Sequence, residues 1–115
     1  YPANITRTVD LLLTPGNYYS VSKAFGEQIG YMYAHQHNME VVCVRIGNFD
    51  PDRPDAEHPH HLGHADAVAV FERAILHAGV KFEVVFGVSD AVEQLYDLDH
   101  GRRAIGYYPQ QKSGD

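Results

Sequence analysis

Tyr19 and Lys23 are the two side chains best suited by type and spacing to do chemistry. They sit in Asn17-Tyr18-Tyr19-Ser20-Val21-Ser22-Lys23-Ala24-Phe25-Gly26-Glu27, which follows Pro15-Gly16 and reads as a turn feeding a helix. On a helix, residues four apart share a face, with side-chain bases roughly 5–6 Å apart. A tyrosine hydroxyl titrates near pH ~10 and is a poor base at neutrality. A fixed ammonium beside it favours the phenolate, and a proton exchanger works best with a pKa near the working pH. Tyr-x-x-x-Lys on one helix face is therefore an acid/base pair that can move a proton on or off a hydroxyl or carbonyl. The same spacing arises by chance on solvated helices, so the surrounding sequence has to decide.

Three other groups compete for a role. His58-Pro59-His60-His61-Leu62-Gly63-His64 contains the His-x-His form found in metal hydrolases. A metal centre needs ligands converging from fixed elements with partners behind them. This cluster lies in a stretch rich in Pro, Asp and His that reads as a loop, so no metal is assigned and the alternative is incidental metal binding by a non-catalytic chain. Ser20-Val21-Ser22-Lys23 satisfies Ser-x-x-Lys, but the acyl-transfer chemistry of that motif also needs Lys-Thr-Gly and Ser-Asp-Asn. Ser89-Asp90-Ala91 fails the second, and no Lys-Thr-Gly is present. Cys43 lies inside an apolar run and reads as a core residue rather than a nucleophile.

The elements that would position Tyr19 and Lys23 follow from periodicity. Residues 18–37 read as a helix whose apolar stripe is Val21, Ala24/Phe25, Gln28/Ile29 and Met32, with Gly26 and Gly30 permitting close approach of another helix and Asn38 as C-cap. Val41–Ile46 is a nearly continuous β-branched run, the pattern of a parallel strand covered on both faces. Arg45 near its end reads as one half of a structural ion pair. Ligands in open α/β sheets sit beyond the carboxyl ends of strands, which puts Gly47, Asn48 and Phe49 in place for a site. Residues 50–63 read as a loop. Helical period returns over residues 64–78, with Val68, Phe71, Ala74/Ile75 and Ala78 as the stripe, Asp66 in the first turn and Gly79 after the end. Residues 82–86 form a second short strand, followed by Gly87-Val88-Ser89. A last helix lies within residues 95–109, stopped by Gly106 and Pro109. Residues 110–115 read as a disordered tail.

The whole chain fits these elements into one domain of 115 residues. A net charge of -6 argues against non-specific binding to nucleic acid or anionic membranes. No apolar run approaches the ~20 residues that span a bilayer. A lone cysteine excludes an intramolecular disulfide framework and fits a reducing cytoplasm. Asn4-Ile5-Thr6 matches a glycosylation sequon and, without a secretory signal, reads as chance. The sequence has no Gly-rich G-x-G-x-x-G turn, which a dinucleotide site on a doubly wound sheet requires. The expectation is that these residues are the C-terminal part of a longer enzyme.

Tyr-Ser-Val-Ser-Lys-Ala-Phe-Gly-Glu, a helix, then Val41-Val42-Cys43-Val44-Arg45-Ile46-Gly47-Asn48 resembles the extended short-chain dehydrogenase/reductase superfamily. Within it the chain looks most like the uronate-dehydrogenase-like branch of the NAD-dependent epimerase/dehydratase family, over essentially its whole length. The resemblance implies a fold: the C-terminal portion of a Rossmann-like doubly wound parallel sheet, with substrate-pocket segments around 48–63 and 87–109. It implies NAD as cofactor, NADP being left open, and a small sugar or sugar-acid substrate. Tyr19 is then the acid/base, and Lys23 anchors the cofactor ribose. The Ile46-Gly47 backbone flanks the nicotinamide, and Asn48, Phe49 and Arg53 contact substrate. The catalytic serine or threonine of the family would lie upstream of Tyr1. A homodimer through the helix of residues 18–37 is also implied, as is inactivity of these residues by themselves. A nucleotide-sugar epimerase or dehydratase uses the same pair and is the alternative within the superfamily.

Overall fold

Asn17 starts the first helix by local chemistry. Its side-chain oxygen accepts the Ser20 backbone N–H at 2.8 Å, satisfying one of the donors that a helix start leaves open. A computed structural model describes residues 6–11, 13 and 15–114 of the chain. Of the Asn4-Ile5-Thr6 match, only Thr6 lies within them. Helix α1 spans Tyr18–Gln36 and is capped by His37. Asn38, expected to be the cap, lies one residue beyond it at φ 54, a conformation asparagine tolerates better than most residues.

Strands β1 (Val41–Ile46) and β2 (Phe82–Gly87) form the parallel pair that the apolar runs predict, in register from Val41↔Phe82 to Ile46↔Gly87. Between them lies α2 (His64–Leu76), and α3 (Leu98–Ile105) packs on β2. Side chains alternate across a strand, and that alternation builds the layers. Arg45 reaches Glu27 on the α1 side. Val42, Val44 and Val85 turn the other way, into a core with Val70 of α2 and Ile105 of α3. The architecture is α/β, helix–sheet–helix. Among the described residues, no helix is long and apolar enough to cross a membrane.

The bulky residues of both expected helix stripes are largely exposed, and only Ala24, Ile29 and Ala74 of the stripes are half-buried. Val21, Phe25 and Met32 of α1 are 50%, 64% and 37% exposed. The face of α1 that meets the sheet carries Glu27, Gly30 and Ala34, and Gly30 faces Val41, Cys43 and Phe82 rather than another helix. On α2, Val68 and Ile75 are exposed, whereas Asp66 and Val70 are fully buried and Ala69 and Ala74 pack on the core. Asp66 decides this rotation. A buried carboxylate must be satisfied, and Asp66 accepts the backbone N–H groups of Gln110 and Gln111 at 2.7 and 3.0 Å.

Those two bonds also overturn the disordered tail. Strand β4 (Lys112–Ser113) runs parallel to β3 (Asp90–Ala91). The Gln111 side chain donates to Pro54 O at 3.0 Å, tying this segment to the loop over residues 50–63. At the end of α3 the expected stop holds. Gly106 takes the left-handed conformation at φ 74, which suits glycine. It delivers Tyr107 into the core, where the hydroxyl donates to Val88 O at 2.9 Å.

Candidate active site

Tyr19, Lys23 and Glu27 recur every four residues and so share one face of α1. Arg45 fixes where that face lies. Its Nε and Nη2 donate to the two Glu27 carboxylate oxygens at 2.8 and 3.0 Å, and Nη1 donates to Val9 O at 3.3 Å. A forked pair of this kind sets orientation as well as distance. It holds α1 against β1 so that Tyr19 and Lys23 stand over the carboxyl end of the strand. The expected structural role of Arg45 is thereby borne out. Glu27 could have been picked out as its partner from the four-residue spacing.

The two elements enclose a cleft of about 810 Å³, lined by Tyr19, Ser20 and Lys23 from α1 and by residues 43–49 from β1 and its continuation. Leu13 and Pro15 close one side. Tyr19, which lines this space, is 70% exposed to solvent. The Lys23 ammonium lies 5.2 Å from the centre of the Tyr19 ring, within cation–π reach. Among the described residues no carboxylate pairs with Lys23. A phenol and an uncompensated ammonium on an open cleft can exchange a proton and hold hydroxyl groups or an anion.

Ile46 and Phe49 are partly exposed at the cleft, with Gly47 and Asn48 between them. Gly47 is required by close approach. A Cβ there would lie 2.2 Å from His60 O and 2.7 Å from Val88 Cγ1. Its absence lets the loop return against the strand end, where Asn48 N donates to His60 O at 2.7 Å and Leu62 N to Asn48 O at 3.0 Å. The Asn48 amide terminus, measured at Nδ2, lies 3.4 Å from His58 Nε2. The Phe49 ring stacks on His64 with centroids 4.8 Å apart.

Tyr19, Lys23, Ile46, Gly47, Asn48 and Phe49 thus share one cleft. Arg53 does not join them. It is drawn to Glu57 at 2.8 Å and Asp50 at 3.6 Å on the exposed loop, where two carboxylates offset its charge. The histidines are spent separately. His58 meets Asn48, His60 meets the Tyr96 hydroxyl at 2.8 Å, and His64 donates to Asp50 O at 2.7 Å. Buried His61 accepts Glu57 N–H at 3.0 Å. Among the described residues no three metal-binding side chains gather as a ligand set. Burial pushes the Cys43 thiol up, Glu27 adds to this and Arg45 opposes it, so the thiolate is disfavoured as expected of a core residue. Ser89, expected near a pocket wall, is buried and accepts Gly63 N–H at 2.9 Å.

No protein-family profile matches the chain. An NAD-dependent glucose-6-phosphate dehydrogenase from Haloferax volcanii is 38% identical over 105 residues, covering 88% of this chain and 40% of that protein. A uronate dehydrogenase from Pseudomonas putida is 31% identical over 100 residues, covering 86% of this chain and 37% of its own length. In structure, a mutant of uronate dehydrogenase from Agrobacterium tumefaciens complexed with NAD superposes with a TM-score of 0.86 at 27% identity, over 98% of this chain and 43% of that one. Glucuronic acid dehydrogenase from Chromohalobacter salexigens gives 0.85 at 28% identity, over 98% and 42%. The chain spans about two-fifths of the length of these proteins. Sequence and Rossmann-like fold together identify it as a member of the uronate-dehydrogenase-like branch of the extended short-chain dehydrogenases/reductases.

Proposed function

We propose that the protein carrying this chain is an NAD(P)-dependent oxidoreductase acting at a hydroxyl or carbonyl of a small sugar or sugar acid. One observation carries the reading: Tyr19 and Lys23 face the same cleft as the residues beyond the carboxyl end of β1. The cleft fits the ribose–nicotinamide half of a dinucleotide, because it offers an ammonium that no carboxylate pairs with among the described residues, beside an exposed phenol. When bound, the nicotinamide supplies the centre that accepts or donates hydride. Tyr19 takes the substrate hydroxyl proton during oxidation and returns it during reduction. Lys23 holds the ribose hydroxyls and offers positive charge to the Tyr19 oxygen when that oxygen has lost its proton. Ile46 and Gly47 flank the ring, Asn48 and Phe49 bound the substrate, and Arg53 meets it only if the loop leaves its present ion pairs.

Tyr19→Phe is the test. Turnover is expected to fall by about 10²–10⁴-fold, the usual range for a lost acid/base group, while the cofactor still binds. Retained turnover would overturn the reading. Lys23→Ala is expected to weaken cofactor binding as well as rate. The same reading includes a homodimer through α1, which would cover Tyr18, Val21 and Phe25, now 95%, 50% and 64% exposed. Because its sequence has no Gly-rich turn for the pyrophosphate, the 115-residue chain alone is expected to be inactive.

A further inference from the structure

The geometry points to His58 as a positioning residue that turns the Asn48 side-chain nitrogen, rather than its oxygen, toward the cleft, so that Asn48 donates a hydrogen bond to an acceptor oxygen of the substrate. The inference deepens the oxidoreductase reading and rests on it. It follows from counting donors and acceptors around one ring. The backbone N–H of His60 donates to His58 Nδ1 at 3.2 Å. A backbone N–H has only its proton to offer, so Nδ1 is the acceptor and the proton of the neutral ring sits on Nε2. That Nε2–H faces the Asn48 amide terminus, 3.4 Å away as measured to Nδ2. An amide nitrogen held there would oppose donor to donor. With the amide turned over, the same contact becomes Nε2–H···Oδ1. The two amide protons are then free to face the cleft that Asn48 lines.

Neither partner has much freedom to escape the arrangement. Asn48 is held by both backbone bonds to the returning loop, from its N–H to His60 O and from Leu62 N–H to its O. The His58 ring is stacked on buried His61 with centroids 5.1 Å apart. His61 is pinned in turn by Glu57 N–H at Nδ1 and by its own N–H to His58 O at 2.9 Å. The substrate group that suits this donor is a carbonyl, carboxylate, phosphate or ring oxygen. A hydroxyl there must accept rather than donate.

The experiment uses the full-length protein with two probes, glucuronate and glucose 6-phosphate, and includes Tyr19→Phe alongside. Asn48→Asp keeps the acceptor for His58 but replaces the donor at the cleft by an oxygen. It is expected to raise KM for the better probe by about tenfold or more, with a smaller change in kcat. His58→Phe should raise KM in the same direction, and His58→Gln, whose amide can donate to Oδ1, should recover most of the loss. Unchanged or lowered KM in Asn48→Asp would mean that an oxygen already faced the substrate, and would overturn the assignment. Nitrogen NMR of the imidazole supplies a readout independent of turnover. His58 is expected as the Nε2–H tautomer at neutral pH, and an Nδ1–H tautomer would overturn the inference even in an inactive preparation. Turnover retained by Tyr19→Phe sinks the functional reading instead, whereas a dead Tyr19→Phe with wild-type KM in both Asn48→Asp and His58→Phe sinks only this one.

Discussion

The two sides of the sheet each present a tyrosine, and the two phenols meet opposite surroundings. On the α2–α3 side Tyr107 is fully buried, its hydroxyl committed to Val88 O at 2.9 Å. On the α1 side Tyr19 is 70% exposed on a cleft, with an ammonium 5.2 Å from its ring. The helices differ in the same way. The eight residues of α3 bury Gly101 and Ile105, whereas the 19 residues of α1 bury only Ala34. One side is a closed core that stabilises, and the other is an open face whose groups remain available. The lesson is that a tyrosine's role is set by what satisfies its hydroxyl, since a phenol already bonded in a dry core has no proton to trade.

The comparison breaks most visibly in the core. Ile105→Ala is expected to cost about 2–5 kcal/mol of stability, as for other large-to-small changes at fully buried sites. Thermal or denaturant unfolding measures it. A loss under about 1 kcal/mol would mean that the α3 side is not the closed core described here. Tyr107→Phe is expected to cost about 1–3 kcal/mol, because the Val88 carbonyl loses its donor in a dry site. On the proposed function, turnover should survive it, in contrast with Tyr19→Phe.

Tyr107 also predicts a pH dependence. Burial, and then the charges of Asp66 and Asp90, raise its pKa well above the ordinary tyrosine value. The folded state therefore keeps the neutral phenol where the unfolded state would ionise. The stabilisation is fully present below about pH 10, the unfolded value, and is lost as pH rises above it. Alkaline unfolding should shift to higher pH in Tyr107→Phe relative to the loss seen at neutrality, and an identical alkaline profile would contradict the assignment.

On the open side the expected effect is smaller. Phe25→Ser should change the stability of an isolated subunit by no more than about 0.5 kcal/mol, since the ring is largely exposed. Sedimentation should nonetheless show weaker self-association if α1 is the dimer face. The least effect concerns Cys43, whose thiol is pushed up by burial. Alkylation at neutral pH should be slower than for a free thiol, and a rate equal to it would argue that the α1–β1 contact opens readily.

Much of the site could be read without coordinates. Tyr19 and Lys23 were legible because a four-residue spacing on a helix fixes a shared face by geometry alone. Val41–Ile46 was legible as a parallel strand because five of its six positions are apolar; its expected cover on both faces is incomplete, since the strand is half-buried and Ile46 is exposed. Arg53 stands apart from the cleft because four acids, Asp50, Asp52, Asp55 and Glu57, lie within four residues of it, and Glu57 and Asp50 pair with it on the exposed loop. The His58–Asn48 contact had no sequence signal. Ten residues separate the two, and only the return of the loop against Gly47 brings them together.

The sequence by itself determined the three helices and the β1–β2 strands, their order, the helical face that carries Tyr19 and Lys23, and the stop at Gly106. These depend on period, capping and backbone sterics, which act between near neighbours. Only the tertiary structure decided which apolar face of α1 and α2 meets the sheet and that residues 110–113 join β3. It likewise decided that Asp66 is satisfied by those residues and that His58 reaches Asn48. Each of those outcomes required a group to find a partner outside its own element, and local pattern carries no information about which distant group will be there.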